Sequence, residues 1–421
     1  MSERDEPLLS VEDLETHYPI TEGFLRREIA RVRAVDGVSF TVECGEAFGL
    51  VGESGSGKTT LARSILRLVE PTGGTVRFDG DRVGELSGES LRAFRRRVQL
   101  VVQDPNEAFN PRMSVGEAVA EPLVIHGMDD RNRRRAIVAD LLERIGLSAA
   151  DAERYPHEFS GGEKQRLSIA RALAPNPDLI VADEPASALD ARVRADVLGL
   201  LESVRREFGV SILYISHDLD TVRRFCDRVA VLYLGEIVER GSTGAVFDSP
   251  AHPYTRVLLG SVPSLDPADR DLVRPLTDTV PDPADPPEGC RFHTRCPELI
   301  APEESDLSDE RWRAVAAMRF ALETGELPAA IVDGKRSVEE LRTTLSLPEH
   351  LPDDRLDRAV TEALFALARG ERETARERLS ETVPSACERE RPVDVAVDGR
   401  CVTCHRYDPA ATGEPLPWVD R

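Results

Sequence analysis

The sequence predicts an α/β fold for residues 1–262, in which strands and helices alternate along the chain. Two short and almost wholly apolar runs, Leu179–Ala182 and Ser211–Ile215, are typical of strands that are buried on both faces of a sheet. Helical stretches separate these runs. A third observation is a glycine-rich loop, Gly52–Gly57, that joins another apolar strand to a helix.

The remaining elements follow in chain order. Ala34–Val42 and Glu46–Val51 are expected to be strands around a turn at Cys44–Gly45, and Arg228–Glu239 to be two short strands. Prolines in 278–289 (DTVPDPADPPEG) mark a linker. Beyond it, residues 301–385 carry helical patterning, because the apolar spacing places one set of side chains on one helix face. These side chains are Leu356, Val360, Leu364 and Leu367.

The sequence thus predicts four segments. They are an α/β domain at 1–262, a linker with a first cysteine pair at 263–300, a mostly helical insertion at 301–385, and a second cysteine group at 386–421.

The charge balance excludes some partners. The 421 residues include 54 basic and 76 acidic side chains, which gives a net charge of −22. Only three of the basic residues are lysines, and an acidic surface of this kind argues against binding to nucleic acid or to an anionic membrane. It predicts a salt-loving organism or, alternatively, an acidic and GC-rich mesophile.

Membrane insertion and secretion are also not expected. No apolar run approaches the roughly 18 residues that a spanning helix needs. The start, MSERDEPLLS, lacks the basic and apolar regions of a signal peptide. We therefore expect the chain to stay in the cytosol, where cysteines are thiols or metal ligands more often than disulfides.

The stretch GESGSGKTT matches the phosphate-loop pattern G-x-x-x-x-G-K-[ST] between a strand and a helix. Its glycines let backbone N–H groups surround phosphate oxygens, its lysine adds a positive charge, and a hydroxyl can ligate Mg²⁺. The residues expected to contact nucleotide are Gly52, Glu53, Ser54, Gly55, Ser56, Gly57, Lys58, Thr59 and Thr60.

Two carboxylates, Asp183 and Glu184, follow the buried strand in LIVADEP. One can hold Mg²⁺ and the other can polarise an attacking water. Gln103 and His217 also follow apolar runs, but either residue alone is more often structural or solvated than catalytic.

A second phosphate-binding helix start lies about a hundred residues after the first. In YPHEFSGGEKQRLSIARAL, Ser160, Gly161 and Gly162 precede a helix and offer N–H groups to an anion. The first loop already wraps the terminal phosphate of one nucleotide. The second site is therefore expected to serve the nucleotide of a neighbouring subunit packed head to tail.

These motifs, in this order, make residues 1–260 resemble the ATP-binding subunit of an ABC transporter. The resemblance implies a P-loop ATPase domain with a helical signature subdomain, and ATP and Mg²⁺ as cofactors. It implies that Tyr18 stacks on adenine and that Glu184, His217 and Gln103 have catalytic roles. It implies that Thr59, Gln103 and Asp183 ligate Mg²⁺. It also implies a signature motif at Ser160, Gly161, Gly162 and Glu163 and a D-loop that ends at Asp190. Phe159 and Glu163 replace the usual Leu and Gln.

Further stretches resemble the dipeptide and oligopeptide importer ATPases. They are VRAVDGVSF, QDPNEAFNPRMSVGEAVAEPL and SPAHPYTRVLL, and "NPRM" and "AEPL" favour the second of the two ATPase subunits of such systems. The resemblance implies a second ATPase subunit, two membrane permease subunits, a solute-binding protein and a place on the cytoplasmic face of the membrane. Nickel or sugar is an alternative cargo. A soluble ABC ATPase that acts on nucleic acid or ribosomes is the rival function.

GCRFHTRCP (289–297) also resembles the C-terminal extension of these importers. In some members, four cysteines of this extension bind an iron–sulfur cluster, which implies a quartet of Cys290, Cys296, Cys387 and Cys404 here. A [4Fe–4S] cluster, zinc and unmetallated thiols remain open from the residues alone. Cys44 and Cys226 are expected to be small core residues.

Overall fold

The computed structural model describes residues 6–23, 27–187, 189–261, 273–302, 307–380 and 384–408. The chain divides into two compact units, Met1–Phe247 and Asp248–Arg421. No helix within the described ranges is both long and apolar enough to cross a bilayer.

The first unit alternates strands and helices. Its strands are β1 (Leu9–Glu22), β2 (Arg27–Val42), β3 (Ala47–Val51), β4 (Gly73–Phe78), β5 (Asp81–Arg82), β6 (Val98–Val101), β7 (Leu179–Asp183), β8 (Ser211–Ser216), β9 (Arg228–Tyr233) and β10 (Glu236–Ser242). Its helices are α1 (Lys58–Ile65), α2 (Gly88–Arg97), α3 (Val115–Ile125), α4 (Arg131–Arg144), α5 (Gly161–Leu173), α6 (Ala191–Phe208), α7 (Leu219–Phe225) and α8 (Thr243–Asp248).

One sheet of this unit orders its strands β10-β9-β3-β8-β7-β6. β9, β3, β8, β7 and β6 run parallel, and β10 pairs antiparallel with β9. Every residue of β3, β7 and β8 is buried, as expected for strands covered on both faces. The α/β fold predicted from the sequence is confirmed.

An antiparallel sheet, in the order β2-β1-β4-β5, covers the parallel one. Leu9, Leu14 and Val35 of this sheet share one core with Leu50 of β3 and Ile65 of α1. This packing fixes β1 and β2 beside the loop that precedes α1.

Helices α3, α4 and α5 pack against one another, and α5 also packs against β6 and α6. Ser114, Asp130 and Ser160 cap the three helices by accepting backbone N–H groups in the first turn. A hydroxyl or carboxylate in this position satisfies donors that the helix leaves free.

The second unit is mainly helical. Its elements are α9 (Pro253–Gly260), α10 (Asp309–Thr324), α11 (Ala329–Val332), α12 (Val338–Thr344), α13 (Asp354–Leu367), α14 (Arg372–Ser380), α15 (Ala386–Arg389), and the antiparallel hairpin of β11 (Asp394–Val397) and β12 (Arg400–Thr403). Asp398 and Gly399 turn the hairpin with positive φ angles of 46° and 77°.

The core of this unit surrounds α10 and α13, with Trp312 and Phe320 among its largest buried side chains. The helix face expected from the spacing of Leu356, Val360, Leu364 and Leu367 is confirmed, because all four lie in α13 and are buried. Apolar packing in this core, mainly of α13 against α14 and α12, rather than helix propensity, therefore orders this segment.

Ion pairs attach α10 to the cysteine-bearing segments of the same unit. Arg319 pairs with Glu388, which follows Cys387, and both side chains are almost fully buried. Arg406, two residues after Cys404, donates to Asp309 at 2.9 Å. Breaking a buried pair leaves an uncompensated charge, so these contacts fix the position of the attached segments.

Replacing Leu364 with Ala is expected to destabilise the second unit by about 2–5 kcal/mol, because it opens a cavity in a fully buried core. The neighbouring Phe365 is 50% exposed, so Phe365→Ala is the matched control and should cost much less. Urea unfolding followed by the fluorescence of the buried Trp312 measures both. Equal losses for the two variants would contradict this packing.

Candidate functional site

The loop between β3 and α1 has a backbone that only glycine can follow. Gly52 and Gly57 have φ angles of 155° and 107°. A Cβ at Gly52 would lie 2.1 Å from the carbonyl oxygen of Leu232, and one at Gly57 would lie 2.0 Å from that of Ala34. Strands β9 and β2 thus hold the loop closely from two sides, and any larger residue would push it out of place.

Lys58 opens α1 and is almost fully buried. Its ammonium donates to the carbonyl oxygens of Gly52 at 2.8 Å and Glu53 at 2.9 Å. Burial lowers the pKa of Lys58, while the carboxylates of Glu184 and Asp183 act against this shift. A cation placed at the start of a helix, beside free N–H groups, forms a phosphate site.

The other loop residues complete this cradle. The Ser56 carbonyl accepts the N–H of Gly235 at 2.9 Å, Gly55 has a φ of 81°, and Thr59 and Thr60 lie in the first turn of α1, whereas Ser54 lies in the turn before it.

Asp183 ends β7 and Glu184 follows it with a φ of 46°, a strained value for a residue other than glycine. The Thr59 hydroxyl donates to Asp183 at 3.4 Å, which joins the phosphate loop to the carboxylates. Burial raises the pKa of Asp183, although the Thr59 hydrogen bond opposes the shift. Backbone strain of this kind persists only where the surrounding fold enforces it and is common at active sites.

Gln103 and His217 both reach Glu184. The Gln103 amide donates to one carboxylate oxygen at 3.0 Å, and His217 Nδ1 lies 3.1 Å from the other. The three residues follow β6, β7 and β8, which are neighbouring parallel strands. The roles of Gln103 and His217 were ambiguous in the sequence. The structure places both side chains against the carboxylate of Glu184.

The oxygen donors here suit Mg²⁺. Thr59 supplies a hydroxyl and Asp183 a carboxylate, next to a loop built for phosphate, and Mg²⁺ is usually bound by one or two carboxylates together with substrate phosphates. Gln103 was expected to be a third ligand, and its amide nitrogen faces Glu184. Its carbonyl oxygen is the atom that could ligate the ion.

Two expected nucleotide contacts lie on other elements. Tyr18 stands on β1 with 38% of its surface exposed, as a platform for a planar base requires. Asp190 caps α6 by accepting the N–H groups of Arg192 and Val193. Within the expected D-loop, Ala188 lies outside the described residues.

The second helix start is built as the sequence indicates. Ser160 caps α5, Gly161 and Gly162 are its first two residues, and Glu163 completes a capping box. Ser160 and Gly161 are exposed. A side chain at Gly162 would collide with Val193, at 2.2 Å. Donors for an anion therefore face solvent on α5, and this helix packs against other elements than α1 does.

In the second unit, Cys290, Cys296, Cys387 and Cys404 line one small cavity. Burial raises the pKa of Cys387 to about 11 and that of Cys404 to about 12, and it raises the pKa of Cys296 well above that of a free thiol. Thiols this basic stay protonated at neutral pH unless a cation replaces the proton.

Backbone groups at this cavity favour thiolates. The N–H groups of Glu298, Ile300 and Arg406 donate to the sulfurs of Cys296, Cys387 and Cys404, respectively, and each bond lowers the pKa of its thiol. Hydrogen bonds to sulfur are among the features that tune metal–thiolate sites. Sequence reasoning could not find them, because they come from the backbone.

His405 also lines the cavity, and sequence reasoning did not single it out. Its Nε2 lies 2.8 Å from the Glu390 carbonyl oxygen and must donate, since a carbonyl can only accept. Its Nδ1 is buried and has no hydrogen-bond partner in the described part of the chain. Its position directly after Cys404 was the one sequence signal that pointed to it.

No three His, Cys, Asp or Glu side chains among the described residues are arranged to hold a metal ion. A cluster spreads its ligands over several irons. Four thiols on one cavity are donors of the kind that such a cluster uses.

Cys44 and Cys226 were expected to be small core residues, and this prediction is correct for one of the two. Cys226 is buried, but Cys44 is exposed because it sits in the turn between β2 and β3. Cys401 lies on β12, half buried.

Family models match three parts of the chain. The model of the ABC transporter family matches residues 35–187, and that of the oligopeptide/dipeptide transporter C-terminal region matches residues 238–301. A domain of unknown function matches residues 309–400.

Whole proteins give the same result. The chain is 48% identical over 70% of its length to a probable peptide ABC transporter ATP-binding protein of Sinorhizobium fredii, of which it covers 83%. It is 46% identical over 69% of its length to the oligopeptide transport ATP-binding protein AppF of Bacillus subtilis, of which it covers 90%. A solved dimeric ATP-binding cassette bound to ADP and Pi matches 56% of the chain, with 98% of that cassette covered, at a TM-score of 0.50 and 30% identity.

Glu184→Gln is expected to lower ATP hydrolysis on the order of 10²-fold or more, because it removes the carboxylate that faces Gln103 and His217. ATP binding should persist, whereas Lys58→Ala should weaken binding itself. Glu89→Gln, an exposed acid on α2, is the control. Nucleotide affinity and steady-state turnover separate these effects, and full turnover in Glu184→Gln would remove this residue from catalysis.

Proposed function

Because this chain belongs to the ATP-binding subunits of ABC transporters, we propose that it powers the import of di- and oligopeptides through a membrane permease. The main support is that two family models match the same chain. One is the model of the ABC transporter family, and the other is the model of the oligopeptide/dipeptide transporter C-terminal region. The relatives named above act in peptide transport by name, and this chain covers most of their length.

The geometry supports hydrolysis at the end of β7. The loop amides and Lys58 would bind the phosphates, and Tyr18 would stack on the base. Mg²⁺, held by Thr59 and Asp183, would neutralise phosphate charge when bound. Glu184 would orient and polarise the attacking water, and Gln103 and His217 keep its two oxygens in place.

The start of α5, where Ser160 and Gly161 are exposed, supports a sandwich of two subunits. Ser160, Gly161 and Gly162 would bind the terminal phosphate of a nucleotide held by the phosphate loop of the other subunit. ATP would then join the two subunits, and hydrolysis would release them. The resemblance to the second ATPase subunit of importers supports a heterodimer, in which each chain completes the site of the other.

The remaining partners follow from the family. Such ATPases work with membrane permeases, and a groove near Gln103 would receive a helix from them. The chain would then lie on the cytoplasmic face of the membrane, and a solute-binding protein would deliver cargo to the permeases without touching this chain.

Uptake by the complete transporter tests the cargo. Proteoliposomes that contain this chain, its partner ATPase and both permeases should accumulate a labelled tripeptide when ATP and the binding protein are present. Excess unlabelled oligopeptide should compete, and nickel or sugar should not. Glu184→Gln provides the hydrolysis-deficient control. Uptake of nickel or sugar without uptake of peptide would contradict the proposed cargo and leave the ATPase assignment intact.

We further propose that Cys290, Cys296, Cys387 and Cys404 bind a [4Fe–4S] cluster with a structural role. Their common cavity and the N–H groups directed at three of the sulfurs support this proposal. The ATPase site is complete without the cluster. Its effect would be to fasten the segments that α10 already joins.

Protein purified without oxygen should contain about four iron and four acid-labile sulfide per chain. Cys387→Ser should lose both, because it removes a ligand. Cys401→Ser is the matched control and should keep them. About one zinc per chain would indicate a different metal site, and alkylation of all four thiols in metal-free protein would contradict the proposal.

A further inference from the structure

The anion site at the start of α5 is only partly free. Within the described part of the chain, the N–H groups of Gly161 and Gly162 have no acceptor, as expected for the first two residues of a helix. The hydroxyl of Ser160 is different, because it donates to the Glu163 carboxylate at 2.7 Å.

Glu163 holds Ser160 with the same oxygen twice. Oε2 accepts the Ser160 hydroxyl and also the Ser160 backbone N–H, at 2.8 Å. The hydrogen bonds from Ser160 lower the pKa of Glu163, which is therefore ionised at neutral pH. The helix start thus carries its own anion, on donors that would otherwise serve a phosphate.

Nearby cations are directed elsewhere. Lys164 donates to the side chain of Asn106 at 2.9 Å, and Arg166 donates to the carbonyl of Ile145 at 2.8 Å. Arg154 is bound to Asp151 and to the Glu158 carbonyl. Arg166 and Arg154 still attract the Glu163 carboxylate and lower its pKa, but they do so less than the two hydrogen bonds from Ser160. The carboxylate is therefore partly compensated by these cations and is bound mainly to Ser160.

A glutamine at this position would keep the fold and change the charge. The capping box accepts either Glu or Gln at the third helical residue, since both offer an oxygen to the cap N–H. The amide would bind the Ser160 hydroxyl more weakly, because bonds to a carboxylate are about twice as strong as neutral ones. It would also remove a negative charge beside the arriving phosphate.

We propose that Glu163 acts as an autoinhibitory anion of the α5 phosphate site, so that ATP-driven closure of the two subunits requires screening by salt. This inference rests on the proposed sandwich and specifies how one residue regulates it. The terminal phosphate has to draw the Ser160 hydroxyl away from the carboxylate and approach a like charge. The repulsion between like charges falls as ionic strength rises, whereas the hydrogen bond from Ser160 is too short for salt to screen.

The charge of the whole chain acts in the same direction. With a net charge of −22, two such subunits repel each other at low salt, so surface repulsion also predicts salt-dependent closure. Glu163 differs from the rest of the surface in being bonded to the donor itself. A single charge removed here should therefore have more effect than one removed elsewhere.

The test compares Glu163→Gln with Glu158→Gln. Glu158 is exposed, lies five residues away and caps a short turn by accepting the Tyr155 N–H, so its replacement by Gln removes the same charge and keeps the cap. It also removes the ion pair of Glu158 with Arg154 at 3.7 Å, which Glu163→Gln leaves in place. The complete transporter is incubated with radiolabelled ATPγS over a series of KCl concentrations. The nucleotide that stays bound after rapid desalting measures closure, and the affinity of the isolated chain for ATP serves as the control.

At low salt, the two ATPase subunits should close in the Glu163→Gln variant at nucleotide concentrations on the order of 10-fold lower than with the unmodified chain. The two should converge at high salt, and ATP affinity of the isolated chain should not change. Superimposable salt curves, or an equal shift in Glu158→Gln, would overturn the proposal. Ser160→Arg distinguishes failure of this inference from failure of the proposed sandwich. Normal nucleotide trapping in that variant would contradict the sandwich of two subunits.

Discussion

The chemistry depends on neighbouring parallel strands that end at one edge of a buried sheet. In this sheet, Val51 of β3 lies opposite Ser216 of β8, and Asp183 of β7 lies opposite Ile215. This register delivers the phosphate loop, the two carboxylates and His217 to the same edge, where ligands of open α/β sheets bind. A one-residue slip of a strand would turn its buried side chains to the other face and would displace the residue that follows it.

The position of Glu184 depends directly on this strand register. Its backbone N–H donates to Ile215 at 2.9 Å, so the strained φ is fixed by the sheet itself. Its side chain is then held by Gln103 and His217, from the strands on either side. Because both contacts lie at the ends of strands, a change in the segment that carries Gln103 would reach the carboxylate directly.

Much of this could be predicted from the sequence, because a phosphate loop and a buried strand with terminal carboxylates are local patterns. The convergence of Gln103 and His217 could not. It depends on the strand order β3-β8-β7-β6, which differs from the chain order. The thiol cavity shows the same limit, because 90 residues separate Cys296 from Cys387 and the contacts of α10 bring them together. Cys44 was misjudged because its exposure is set by a turn.

The central claim is that the two phosphate-binding helix starts of one chain serve different nucleotides. Hydrogen–deuterium exchange of backbone amides tests this most directly, with and without ATP, on the isolated chain and on the assembled transporter. We predict that ATP protects the amides of Gly55–Thr59 in both samples, and those of Gly161 and Gly162 in the assembled transporter alone. Protection of Gly161 and Gly162 by ATP in the isolated monomer would contradict the account, because both helix starts would then bind the same nucleotide.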